Sequence, residues 1–233
     1  MMSPQSLQSL DPLNSPHPVP WQWVMATLSE PRNLHSASVF RYYRSQSLLS
    51  PDGHYAAYSR IQLQISGQLT QNRIASILFV ENLQTGELQS ITPAAPFADN
   101  PFVADARLNQ PGTIAMLVPV AWSEDSHRLL AREFESLFGS GLASDFAVIW
   151  EQQSNRTYTL APTQIQYSNA VLLGWSQSYP SHVLFRAGQM GDENWPLYAV
   201  DASGQTLRAS EDRPITYGEY ANSIWGPQGY SCA

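Results

Sequence analysis

Gly174-Trp175-Ser176-Gln177-Ser178 comes close to a nucleophile elbow, but it ends in Ser where the motif has Gly. An elbow also needs a strand-to-helix turn. Ser176 lines up with Ser50 and Ser123 in a repeated pattern, so it reads as a repeat feature rather than a nucleophile. His54, His127 and His182 hold equivalent places in the same pattern. A histidine at this place after the turn reads as a turn-capping or strand-entry residue rather than as a metal ligand. His17 and His35 lack ligand spacing. Asp99, Asp105, Asp192 and Glu193 are loop carboxylates without EF-hand spacing. A glycosidase-type pair would need two of them to face one cleft. No catalytic residue, metal ligand or cofactor is assigned on these signals.

Binding chemistry is better represented. Arg41-Tyr42-Tyr43-Arg44 joins two guanidinium groups to aromatic rings, a combination that suits an acidic or planar partner. Trp21 and Trp23 stand close together near the N-terminus, and aromatic pairs of this kind cap a core edge or form a docking surface. The expected binding residues are therefore Arg41, Tyr43, Arg44, Trp21 and Trp23.

Composition narrows the field. The 233 residues carry a net charge of -7, with 43% hydrophobic and only 13% charged residues. All twelve basic residues are arginine, which excludes lysine Schiff bases and a P-loop lysine. Nothing resembles a basic nucleic-acid face. The single Cys232 permits no intrachain disulfide and no CxxC zinc site. No apolar run approaches the roughly 18 residues of a membrane helix, and no signal peptide is evident. The expectation is a cytoplasmic protein, with peripheral association to a membrane complex left open.

These residues need elements to position them. Residues 1–20 are rich in Pro, Ser and Gln, with little to bury, and predict a flexible arm. Residues 21–233 predict a single domain, beginning with a short helix over Trp21–Leu28 that stops before Pro31. Beyond it a pattern occurs three times, over about 39–93, 114–162 and 170–210. Ser50-Pro51-Asp52-Gly53-His54 aligns with Ser123-Glu124-Asp125-Ser126-His127, and then with a longer turn from Ser176 to His182. An apolar segment lies on either side of each turn. A second hairpin follows, turning at Thr85-Gly86, Ser154-Asn155 and Ser203-Gly204, residue types that accept positive φ. Each unit thus predicts four short antiparallel strands. Leu129–Phe138 also fits a helix period, but its alignment with Tyr55–Ile65, where Ile61, Leu63 and Ile65 alternate, favours strand.

Ser50-Pro51-Asp52-Gly53 followed by Ala56-Ala57-Tyr58-Ser59, then Leu78-Phe79-Val80 and Thr85-Gly86, resembles the TolB-type β-propeller repeat. The second copy keeps Trp122-Ser123 and Asp125 but has Ser126 for glycine; the third keeps Trp175-Ser176 and lacks the aspartate. The glutamine-rich, lysine-free composition is also similar to that of cyanobacterial proteins. The resemblance implies an all-β fold of three four-stranded, WD40-like blades, an incomplete β-propeller. Propellers usually close with about four to eight blades. Three leave two apolar flanks to be covered by the chain's own ends, by a second copy or by another protein. The expected function is a non-enzymatic protein-interaction or complex-assembly module that holds a protein partner, or itself, through an open blade flank. The alternative is a hydrolase-type or small-ligand-binding propeller with loop carboxylates at its mouth.

Overall fold

The computed structural model describes residues 11–31, 38–92, 95, 97 and 111–221. Helix α1 spans Trp21–Leu28 and ends at Ser29, whose N–H reaches back to Met25 O and Ala26 O. A first group of strands follows: β1 Val39–Arg44, β2 Ser47–Leu49, β3 Tyr55–Ile65, β4 Arg73–Asn82 and β5 Leu88–Ile91. The second group is β6 Thr113–Trp122, β7 Arg128–Leu137, β8 Ala143–Glu151 and β9 Arg156–Leu160. The third is β10 Asn169–Ser176, β11 Val183–Gly188, β12 Leu197–Val200 and β13 Thr206–Arg208. Two short strands close the described chain, β14 Pro214–Ile215 and β15 Glu219–Ala221.

The protein is all-β, as expected. Leu129–Phe138, where two periods competed, is strand up to Leu137. The pairing is antiparallel throughout each group. The first strand of the first group is split, so that β1 and β2 pair with different halves of β3. At the equivalent place β6 bulges between Pro119 and Ala121, and β10 between Leu172 and Gly174. A bulge is where a strand tolerates proline. The first two groups share one sheet through a single parallel bridge, Ile74 to Ile114; the third group forms a second sheet. Both sheets are open among the described residues.

The middle group is buried on both faces, which is why β6 reads as an unbroken apolar run rather than an alternation. One face packs Leu117, Leu129, Ala131 and Val148 on Leu78, Val80 and Ile91 of the first group. The other packs Leu130, Ala147 and Ile149 on Leu172, Val183 and Phe185 of the third. Each fully buried Leu or Phe contributes about 1.5–3 kcal/mol. That is several times an exposed ion pair such as Arg41–Glu30, so apolar faces hold the groups together.

The two terminal faces do not stand bare. Ala75 and Ile77 are buried on the outer face of β4, and Leu184 and Ala199 pack with Ala209 on the outer face of the third group. On the same outer faces Phe40 and Leu88 of the first group and Leu207 of the third stay exposed. Among the described residues, four other exposed large apolar side chains, Met25, Leu69, Leu142 and Met190, lie around one groove beside α1.

The serine turns explain the repeat chemically. Ser50 Oγ donates to Asp52 Oδ1 at 2.5 Å, and the N–H groups of His54 and Tyr55 donate to Asp52 and Ser50. Ser123, Asp125, His127 and Arg128 repeat this arrangement, with Ser126 at φ 63° where Gly53 has φ 73°. The third turn recovers its missing carboxylate from elsewhere. Ser176 Oγ donates to Asp212 Oδ2 at 2.5 Å, and Ser178 N–H to Asp212 Oδ1 at 2.9 Å.

From Asp212 the chain runs across all three groups. Ile215 pairs with Trp175, Tyr217 with Trp122 and Glu219 with Leu49, the residue before each serine in turn. Gly218, at φ 104°, permits this, because a Cβ there would lie 2.6 Å from Leu49 O.

Candidate functional site

Residues 11–20 of the expected flexible arm are ordered. Asp11 accepts hydrogen bonds from the N–H groups of Leu13, Ser15 and Val19, which wraps residues 11–19 around its carboxylate. Arg132 Nη1 then donates to Asp11 Oδ2 at 2.7 Å and to His17 O at 2.7 Å, and Nη2 to Asp11 Oδ1 at 3.2 Å. Arg132 Nε lies 2.8 Å from Asp145 Oδ1, close enough for strong attraction though out of line for a hydrogen bond. Asp145 Oδ2 accepts from Leu172 N–H at 2.9 Å, which ties the third group into the same cluster. The ion-pair side chains are 0% exposed.

Burial pushes Asp11 up, but the Arg132 guanidinium and the N–H donors more than offset it and hold the carboxyl below its ordinary range. Burial raises Asp145 to about 6 against the same cation. Composition concealed this anchor, because its cation lies 121 residues away; Val19 and Leu13 add apolar contacts with the core.

The anchored arm and α1 form one wall of a groove of about 640 Å3. Pro16, Pro18 and Pro20 line it from the arm, Trp21 and Trp23 from α1, Tyr43 from β1, Pro119 from the β6 bulge and Tyr220 from β15. Trp23 and Tyr43 meet at 5.3 Å between ring centroids, tilted by 42°. Trp21 sets its edge on Phe134 at 6.2 Å. Tyr220 donates from its hydroxyl to Pro119 O at 2.9 Å, and half of the residue stays exposed. Burial depresses the pKa of His17, and Arg132 adds to this, while its Nε2, 3.0 Å from Leu173 O, acts the other way. The imidazole is therefore neutral at pH 7, with Nε2–H as donor to that carbonyl.

Three of the five expected binding residues come together here, and two do not. Arg41 lies on the Tyr43 face of β1 but reaches Glu30 at 3.8 Å. Arg44 lies on the opposite face, as its odd offset from Tyr43 requires, 3.8 Å over the Tyr58 ring and bonded to Ser45 O and Ser47 Oγ. The four-residue motif is thus split between two faces. The sequence reading missed Pro119. The aromatic stretch from Tyr217 to Trp225 stands out in the sequence as a cover or docking end, but only the cross-strand run from Asp212 brings its Tyr220 to this groove.

The second groove, about 480 Å3, lies on the other side of α1 and shares Trp21. Among the described residues no charged side chain lines it.

Asp99 and Asp105 lie outside the described residues. Asp192 and Glu193 line a shallow hollow with Arg186 and Trp195. The three turn histidines have separate partners: Asp52, Gln152 and Pro180 O. Among the described residues no three His, Cys, Asp or Glu side chains gather as a metal site. The sequence reading also missed Glu133 and Glu135, which share the face of β7 toward the first group. Burial and the neighbouring Glu135 push Glu133 up to about 9. Burial pushes Glu135 up to about 7, against a hydrogen bond from Phe97 N–H at 2.9 Å. No helix among the described residues is long and apolar enough to cross a membrane.

No protein-family model matches the chain, and a search of curated proteins found no match.

Proposed function

We propose that the chain is a non-enzymatic protein-interaction or complex-assembly module on a TolB-type, propeller-like scaffold of three four-stranded units. Its working surface is the aromatic groove and the adjoining face of α1 rather than a flank of the strand groups. It would act in the cytoplasm or peripherally on a membrane-bound complex. The observation that carries this reading is the convergence of Trp21, Trp23, Tyr43 and Tyr220, from three separate segments, on an open groove. Large aromatic rings left at a surface are the residues that dominate protein interfaces.

The test is affinity capture from native lysate with the wild type and a Trp23→Ala/Tyr43→Ala double variant, with light scattering to give the mass of each complex. The expected result is a discrete partner held by the wild type and lost from the variant, with the circular dichroism spectrum unchanged. A wild type that captures nothing, or a variant that captures as well, overturns the reading.

A further inference from the structure

Tryptophan N–H groups separate the groove from the rest of the molecule. Among the described residues, four indoles donate within the chain. Trp122 donates to Leu48 O at 3.2 Å, Trp150 to Asn155 Oδ1 at 3.0 Å, Trp175 to Trp122 O at 2.9 Å and Trp195 to Gln189 O at 3.1 Å. Trp21 and Trp23 donate to no described residue, and both are half-buried at the groove. A buried indole N–H usually finds a partner; these two are only partly buried and stay free to donate to an occupant of the groove.

The walls define the chemistry of that occupant. Among the described residues no Asp, Glu, Arg or Lys lines the groove, and His17 is neutral, so phosphates and charged peptides meet no counter-charge there. The rings of Trp23 and Tyr43, inclined to each other by 42°, give an angled apolar wall, and the unspent indoles add donors. A wall of this kind suits a ligand rich in acceptors and poor in donors. A polyproline II segment matches, because its carbonyls make no internal hydrogen bonds and each proline lacks an N–H. Such segments dock in aromatic-lined grooves at low entropic cost.

We propose that the groove binds an extended, proline-bearing peptide segment. Its prolyl rings pack on Trp23 and Tyr43, and its carbonyls accept from the indole N–H groups of Trp21 and Trp23. This rests on the interaction-module reading and names the class of partner.

The test uses the full chain, 15N-labelled, titrated with deca-proline and with a Gly/Ser peptide of equal length. Trp21→Phe and Trp23→Phe assign the two indole resonances by their loss. The expected result is that these two resonances shift with deca-proline and not with the Gly/Ser peptide. Trp23→Phe, which keeps a ring but removes the donor, should weaken deca-proline binding about fivefold, the effect of one net hydrogen bond. The dispersed resonances of Trp122 and Trp175 serve to confirm that each variant is folded. Shifts confined to other indoles, no shifts at millimolar peptide, or equal binding by Trp23→Phe overturn the proposal. If deca-proline fails while Trp23→Ala/Tyr43→Ala still loses a captured partner, the partner class is wrong and the interaction module stands. If deca-proline binds and capture is unaffected, the interaction reading fails.

Discussion

Strand β7 buries ionisable side chains on both of its faces, and the two faces handle them differently. On one, Arg132 is surrounded by Asp11, Asp145 and the His17 carbonyl. On the other, Glu133 is 1% exposed and its Oε2 has no hydrogen-bond partner, while Glu135 accepts from Phe97 N–H. The difference follows from the side chains. Guanidinium keeps its proton at any pH a protein meets, so burying it requires partners. A carboxyl can take up a proton and lose its charge instead. Holding Glu133 neutral at pH 7 costs about 3 kcal/mol relative to an ordinary glutamate. Arg132 therefore acts as an organising centre that recruits the N-terminal segment and the third strand group, whereas Glu133 organises nothing within reach and makes stability depend on pH.

Arg132→Met should have the largest effect. It strands Asp11 and Asp145 without their cation, and losing one partner of a buried pair costs about 3–5 kcal/mol. Urea denaturation should show that loss, and limited proteolysis should newly cut within residues 11–20. A variant as stable as the wild type and equally resistant would break the comparison, because an apolar side chain would then serve as well as the cation.

Glu133→Gln should have the opposite sign. The folded-state pKa of about 9 lies above the ordinary 4.5, so between these values only the folded chain holds the proton. Wild-type stability should therefore fall as pH rises through that window, by up to about 1.4 kcal/mol per pH unit. Glu133→Gln should remove the Glu133 share of this slope, leaving that of Glu135 below about pH 7, so that the variant matches the wild type near pH 4 and exceeds it at pH 7 and above. Urea midpoints at pH 4, 7 and 9 measure it, and parallel curves would show that Glu133 is ionised in the folded protein.

Glu135→Gln should give the smallest change. Its window runs only from about 4.5 to 7, and a glutamine Oε1 can still accept from Phe97 N–H. A gain as large as that of Glu133→Gln would mean that the Phe97 contact does little to hold the charge.

Alternation, turn residues and apolar runs gave away most of the strands. α1 was legible from Trp21–Leu28 alone, and β7 from its alignment with β3. Features that depend on distant partners were not legible. Pro and Ser content made residues 11–20 look like a loose arm, because composition counts apolar surface and says nothing of Arg132. The Arg41–Arg44 motif looked like one surface until strand geometry placed Arg44 on the far side. Glu133 and Glu135 read as an ordinary polar alternation, because nothing local reveals that both faces of β7 are covered.

The third serine turn divides the two contributions. Ser176 could be placed by its match to Ser50 and Ser123, since hydrogen bonding within a turn involves neighbours in sequence. That Asp212 supplies the carboxylate, and that the chain beyond it then crosses Trp175, Trp122 and Leu49, was decided only by folding. Local pattern specifies what a backbone segment becomes because its hydrogen bonds close within a few residues. Which charge meets which, and which rings share a groove, depends on how whole sheets stack, and that is settled by apolar area spread over the entire chain.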